Sequence, residues 1–308
     1  MTDDIRLLNA LTGSAQRLSH MHVGWLVLGL ALQASSLGLR GFAWRNIVRG
    51  AYPGRRVPVV GIGAAYIAGV AANCVLPAKA GELVKIGGAR LQVERSDAAT
   101  LAGSLGVLSL LDLCIGAAIT VTVLLTGAVP GLDPTRALSA PGWAVPVVLA
   151  TLAATVVASR LPPARRLGAR LRSAAAAATA VVRRPREYAL RVALPQAAAW
   201  ACRLGVAASL LAAFGLRPTP GSAAVVVVAG GLAGLVPGSP GGLGAQQLLL
   251  VYALGATAAA GSIVTFSVGM QLALTLLQVV LGIGAAMVAV RVANPLRAVR
   301  ALRAQAAD

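Results

Sequence analysis

The sequence predicts an all-α, polytopic helical membrane protein with two re-entrant hairpins in an inverted repeat. Three observations predict it. Hydrophobic residues make up 57% of the 308, and the mean hydropathy is +0.80. Charged residues fall to 12%, about half the usual share of a soluble domain. Apolar runs recur whose length, roughly 18 residues or more, suffices to cross ~30 Å of hydrocarbon. A β-barrel would need alternating segments of ~10 residues, and the chain lacks them.

The apolar segments lie at about 23–40, 57–76, 98–127, 142–159, 189–215, 222–237, 243–257 and 261–290. Asp3 and Asp4 stand where a signal peptide would carry basic residues. The run from Val23 is therefore expected to be a retained span rather than a cleaved leader. Loop 40–56 carries Arg40, Arg45, Arg49, Arg55 and Arg56, which assigns it to the cytoplasm. Loop 128–141 holds only Asp133 and Arg136, and is expected outside. Linker 160–188 is arginine-rich, and the tail carries Arg297, Arg300 and Arg303. Both belong inside by the same rule. The net charge of +18 is thus topological rather than a nucleic-acid signal. Basic loops also attract anionic headgroups by about 1 kcal/mol per charge.

These assignments conflict with single crossings. Segment 98–127 must start inside, yet loop 40–56 is inside as well. The chain between them is expected to enter at 57, turn near Pro77 and return through 78–95. Pro77 and Gly81 suit that break, because Pro removes a donor and Gly permits the turn. By the same logic 222–257 starts and ends outside. It turns in "VPGSPGGLGAQQ", with Pro237, Pro240, Gly241, Gly242 and Gly244 as turning residues. "LPAKAGEL" and "VPGSPGGL" align, Pro77 with Pro237 and Gly81 with Gly241. One transmembrane domain over 1–308 follows. Its parts are a first repeat (~23–127), a connector helix (~142–159), the linker (~160–188), a second repeat (~189–291) and a basic tail (292–308). An external N-terminus follows too. Repeats of this kind hold their substrate near the midplane.

The charges inside the apolar segments are the candidate site. Glu82 stands between Lys79 and Lys85, at i−3 and i+3 on a helix, leaving net positive charge. A central charge costs ~2.5–3.5 kcal/mol on insertion scales, so its presence needs a reason. Asp112 lies deep in its span and requires a cation or a proton. Arg203 lies about 18 Å from either end of its own span. Asp112 with Arg203, or Arg203 with a lipid phosphate, are the expected pairings. Asn73, Gln246 and Gln247 flank the breaks and can line a cavity. Gln271 and Gln278 read as interhelical hydrogen-bonding groups.

Cys74, Cys114 and Cys202 are odd in number and lack ligand spacing. His20 and His22 are the only histidines. No metal site, cofactor or catalytic constellation is therefore expected.

"NCVLPAKAGELVK", then "LLDL", then "PGSPGGLGAQQ" resemble the lysylphosphatidylglycerol synthase transmembrane, or flippase-like domain, family over about residues 20–295. The matching residues are Asn73, Leu76, Pro77, Gly81, Glu82, Lys85, Leu110, Leu111, Asp112 and Pro240 to Gly244. Leu108 and Ser109 stand where the family commonly has Glu-Arg, and Gln247 where it has Glu. The resemblance implies a multi-pass protein of a prokaryotic plasma membrane. It also implies a lipid partner: aminoacylated phosphatidylglycerol, or a polyprenyl-phosphate linked to sugar transfer. The chain is expected to be a stand-alone membrane half. Its expected function is a flippase-like transporter of an anionic, aminoacylated or glycosylated lipid. The alternatives are a lipid-linked glycosyl or aminoacyl transferase, or a non-catalytic subunit docking a soluble enzyme on the arginine-rich linker.

Overall fold

The computed structural model describes residues 22–76, 80–126, 185–233 and 244–305. All regular structure among them is helical. In chain order the helices are α1 (Val23–Ala51), α2 (Val59–Val75), α3 (Gly81–Gln92), α4 (Ala98–Thr126), α5 (Pro185–Ala213), α6 (Pro220–Ala233), α7 (Ala245–Leu254) and α8 (Ala260–Gln305). By length and composition, α1, α4, α5 and α8 can each cross a membrane. The connector 142–159, the loop 128–141 and most of the linker 160–188 lie outside the described residues.

Helix α1 is longer than its apolar run. No proline or other strong breaker stands between Val23 and Pro53, so the helix continues through Arg40, Arg45 and Arg49. It stops where Pro53 and Gly54, the latter at φ +77°, turn the chain. The loop expected from residue 40 therefore begins only after Ala51.

α2 and α3 form a tight antiparallel hairpin. Gly61 faces Gln92, Ala65 faces Gly88, and Gly69 faces both Lys85 and Gly81. Small residues let the two backbones meet, and a side chain on any of these glycines would collide with the opposite helix. A Cβ on Gly88 would sit 2.7 Å from that of Ala65. Leu76 ends α2 in extended conformation, as a residue before proline prefers. The 17 residues of α2 rise about 25 Å and the 12 of α3 about 18 Å, both short of ~30 Å of hydrocarbon.

Two compact units emerge. The first comprises Ala34–Ala117, Val148–Ala201 and Thr275–Asp308, and contains the α2–α3 hairpin. Its core joins Trp44, Ile62, Tyr66, Ala89, Leu101 and Leu105. Trp44 and Tyr66 are tilted rings 6.0 Å apart. α8 packs on the hairpin: Gly282 meets Ala71, and Gln92 Nε2 donates to the Ala289 carbonyl at 2.9 Å. Trp44 Nε1 donates to Ser104 Oγ at 2.9 Å, and both residues are fully buried. Ser104→Ala is expected to lower stability by about 1–3 kcal/mol, because it leaves an indole N–H unpaired. The thermal midpoint of the detergent-solubilised protein measures it, and Trp44→Phe in the same background should remove the N–H penalty.

A five-residue π-helical segment, Ala189–Ala193, interrupts α5. Such bulges disturb the backbone ladder. Here the Arg191 carbonyl accepts a bond from Asn46 Nδ2 at 2.7 Å.

The second unit comprises Met1–Gln33, Ala118–Val147 and Cys202–Leu274, and contains α6 and α7. Phe214 meets Phe266 edge-on at 5.8 Å, and the Phe214 ring occupies the space above Gly269. Gly29 packs on Leu210, and Gly205 on Leu32.

Candidate functional site

The site grows from the hairpin. Asn73 Oδ1, near the end of α2, accepts the Gly81 N–H at 2.8 Å. That bond satisfies one of the first amides of α3, which have no partner within the helix. Asn73 Nδ2 also reaches Glu82 Oε1 at 3.4 Å, at the long limit for such a bond. Glu82 lies in the first turn of α3, where the helix dipole favours a carboxylate. Lys85 Nζ donates to the same Glu82 oxygen at 2.7 Å, the i,i+3 pair that the spacing predicts. The ammonium also stands 4.8 Å from the centre of the Tyr66 ring. The pair is asymmetric: the Lys85 side chain is 8% exposed and that of Glu82 41%. The cation is enclosed by Glu82 and the Tyr66 ring, and the carboxylate is the more accessible partner.

Asp112 is enclosed by donors. Oδ1 accepts from Trp200 Nε1 at 2.8 Å and from Gln196 Nε2, while Oδ2 is paired with Arg40. Gln196 and Trp200 are four residues apart on α5 and share a face. Gly116, one turn beyond Asp112, makes room for the indole, because a Cβ there would lie 3.0 Å from Trp200 Cη2. Among the described residues, each carboxylate thus has its own cation, Lys85 for Glu82 and Arg40 for Asp112. Arg40 Nε retains a donor and Gln196 Oε1 an acceptor that no protein group meets among the described residues.

Of the residues expected from sequence, the structure brings Asn73, Glu82 and Lys85 together, while Asp112 forms a separate pair with Arg40. Lys79 and Pro77 lie outside the described residues, as do Pro237, Pro240, Gly241 and Gly242. Arg203 is half-buried on the part of α5 in the second unit. The cation found on Asp112 is Arg40. In the second unit, Gln246 is buried close to Gly230, and Gln247 Oε1 accepts the Gly244 N–H at 2.6 Å. Gly244 has φ +84°, a conformation that favours glycine, at the start of α7. Cys74 Sγ donates to Gln278 Oε1 at 2.8 Å, a contact between α2 and α8.

Sequence reasoning misses Arg40, Gln196, Trp200 and Tyr66. Arg40 carries a usable signal: a single charge flanked by "LGL" and "GFAW", with no proline before Pro53. Among the described residues, no group of three or more His, Cys, Asp or Glu could hold a metal ion.

A family model described as "Lysylphosphatidylglycerol synthase TM region" matches residues 10–282. The chain belongs to this family. The matched stretch includes α1 to α7 and most of the apolar part of α8. Membership makes the chain a membrane protein related to lipids. No curated protein and no solved structure matches it.

Proposed function

We propose that this protein is a flippase-like transporter, multi-pass in a prokaryotic plasma membrane, that moves a lipid with an anionic, aminoacylated or glycosylated headgroup between leaflets. The observation that carries the reading is the ionic cluster on the hairpin. Glu82 is half-exposed and paired with a buried Lys85, and the same unit holds the Arg40–Asp112 pair. Charges in apolar helices mark a substrate path by default, since each is costly to insert. A headgroup amine would meet the half-exposed Glu82 carboxylate, and a phosphate would draw on Arg40 and Lys85.

The helix lengths support re-entrant hairpins in an inverted repeat. α3, α6 and α7 have 12, 14 and 10 residues, each too short to cross ~30 Å. Inverted-repeat transporters hold their substrate at broken elements of this kind, near the midplane. In this reading Asn73 and Lys79 would serve the substrate at the first break, and Gln246, Gln247 and Arg203 at the second.

The test is lipid movement in liposomes containing the purified protein and labelled aminoacylated or anionic phospholipids. Glu82→Gln is expected to slow movement about ten-fold, through loss of a charged hydrogen-bond acceptor worth about 1.5 kcal/mol. Leu83→Ala, next to it but 73% exposed, should leave the rate unchanged. Turnover of a lipid-linked sugar without movement would replace this reading with a transferase.

A further inference from the structure

We propose that a second site, independent of the Glu82 cluster, binds the phosphate headgroup of an anionic membrane lipid. It is a groove of about 630 Å³ formed by the end of α1, the turn after it and the start of α2. Arg45, Arg49, Arg55 and Arg56 line it. It shares no residue with the hairpin cluster, so it stands whether or not the protein transports.

Two of the arginines are held in place by neutral acceptors. Arg45 Nε donates to the Val57 carbonyl at 3.1 Å, and its Nη1 to Asn46 Oδ1 at 3.0 Å. Arg55 Nη1 donates to the carbonyls of Glu94 and Arg95 at 2.8 and 2.7 Å. Its guanidinium also lies 5.1 Å from the centre of the Tyr52 ring. These contacts orient the side chains through neutral oxygens, and among the described residues no ion pair engages Arg45 or Arg55. Arg49 and Arg56 are exposed and make no hydrogen bond or ion pair among the described residues. Four like charges around one groove repel each other, and an anion removes that repulsion. Guanidinium groups match phosphate oxygens in pairs.

The apolar part of the groove selects a lipid over a free anion. Val59 and Val60 open α2 with 47% and 60% of their surface exposed, and Val292 of α8 completes the lining. Arginine charge beside exposed valine, at the end of a helix able to cross the bilayer, suits a headgroup with its acyl chains alongside. The volume falls within the range of ligand sites, about 300–1,000 Å³.

Native mass spectrometry tests this on the full chain in mild detergent, offered phosphatidic acid, diacylglycerol or inorganic pyrophosphate. Phosphatidic acid should be retained and diacylglycerol should not. The Arg49→Gln/Arg56→Gln pair should weaken retention roughly thirty-fold, as expected for two interfacial charges. Arg90→Gln/Arg186→Gln removes the same charge from exposed positions outside the groove, and should retain the lipid like the native chain. Equal losses in both pairs would reduce the effect to diffuse surface charge and overturn the proposal. Pyrophosphate bound as tightly as the lipid, or an acidic protein that binds the native chain but not Arg49→Gln/Arg56→Gln in excess lipid, would overturn it as well. Unchanged thermal midpoints in both pairs establish that the exposed substitutions leave the fold intact.

Discussion

Gly81→Ala is expected to disrupt the hairpin and with it the ionic cluster. The new methyl would land on the backbone oxygen of Gly69 and 2.5 Å from Asn73 Oδ1. A backbone oxygen cannot swing aside as a flexible side chain does, so α2 and α3 must separate. Separation breaks the 2.8 Å bond from the Gly81 N–H to Asn73, and moves Glu82 and Lys85 off their partners. Overpacking of this kind costs about 1–3 kcal/mol. For a chain of this size that corresponds to a fall in the thermal midpoint of about 2–5 °C. Gly87→Ala, on the same helix, is the matched comparison. Nothing lies within 4 Å of its added Cβ, so the usual helical gain of about 0.5–1 kcal/mol should appear. Thermal unfolding of both variants in one detergent decides the matter. Equal midpoints would mean that the helices are not in contact at Gly81.

Arg40→Met should be comparably damaging for a different reason. It leaves Asp112 ionised among apolar helices with only the neutral donors Gln196 and Trp200. Breaking one side of a buried pair costs about 3–5 kcal/mol, whereas replacing both sides with apolar groups is often neutral. Asp112→Leu alone should therefore destabilise as well, by stranding the guanidinium. Arg40→Met combined with Asp112→Leu should recover most of the loss. The double-mutant cycle measures the coupling directly. Additive single effects would show that Arg40 and Asp112 do not depend on each other.

Much of the fold is legible in the sequence because hydropathy and helix breakers act locally. The four long helices follow from the apolar runs. The end of α2 at Leu76 follows from the proline after it. The Glu82–Lys85 pair follows from spacing alone, since residues three apart share a helix face. The limit of α1 is misjudged because arginine reads as a loop signal when charge is used to assign sides of the membrane. Arginine is also a good helix former, and only Pro53 stops the helix. The partners of Asp112 are not legible. Arg40 and Gln196 are 72 and 84 residues from it, and only tertiary packing brings them together. The glycines of the hairpin are intermediate: their spacing suggests close packing, but not which helix they meet.

The most direct test concerns the hairpin itself. In a background lacking Cys74, Cys114 and Cys202, single cysteines at Pro53, Leu76 and Glu94 are exposed to membrane-impermeant reagent, from each side of sealed vesicles. We expect positions 53 and 94 to react from the same side, as the Arg55 bond to the Glu94 carbonyl requires, and position 76 to be shielded from the opposite side. Reaction of 53 and 94 from opposite sides, or free reaction of 76 from the far side, would contradict a hairpin that turns within the bilayer and carries Glu82 there.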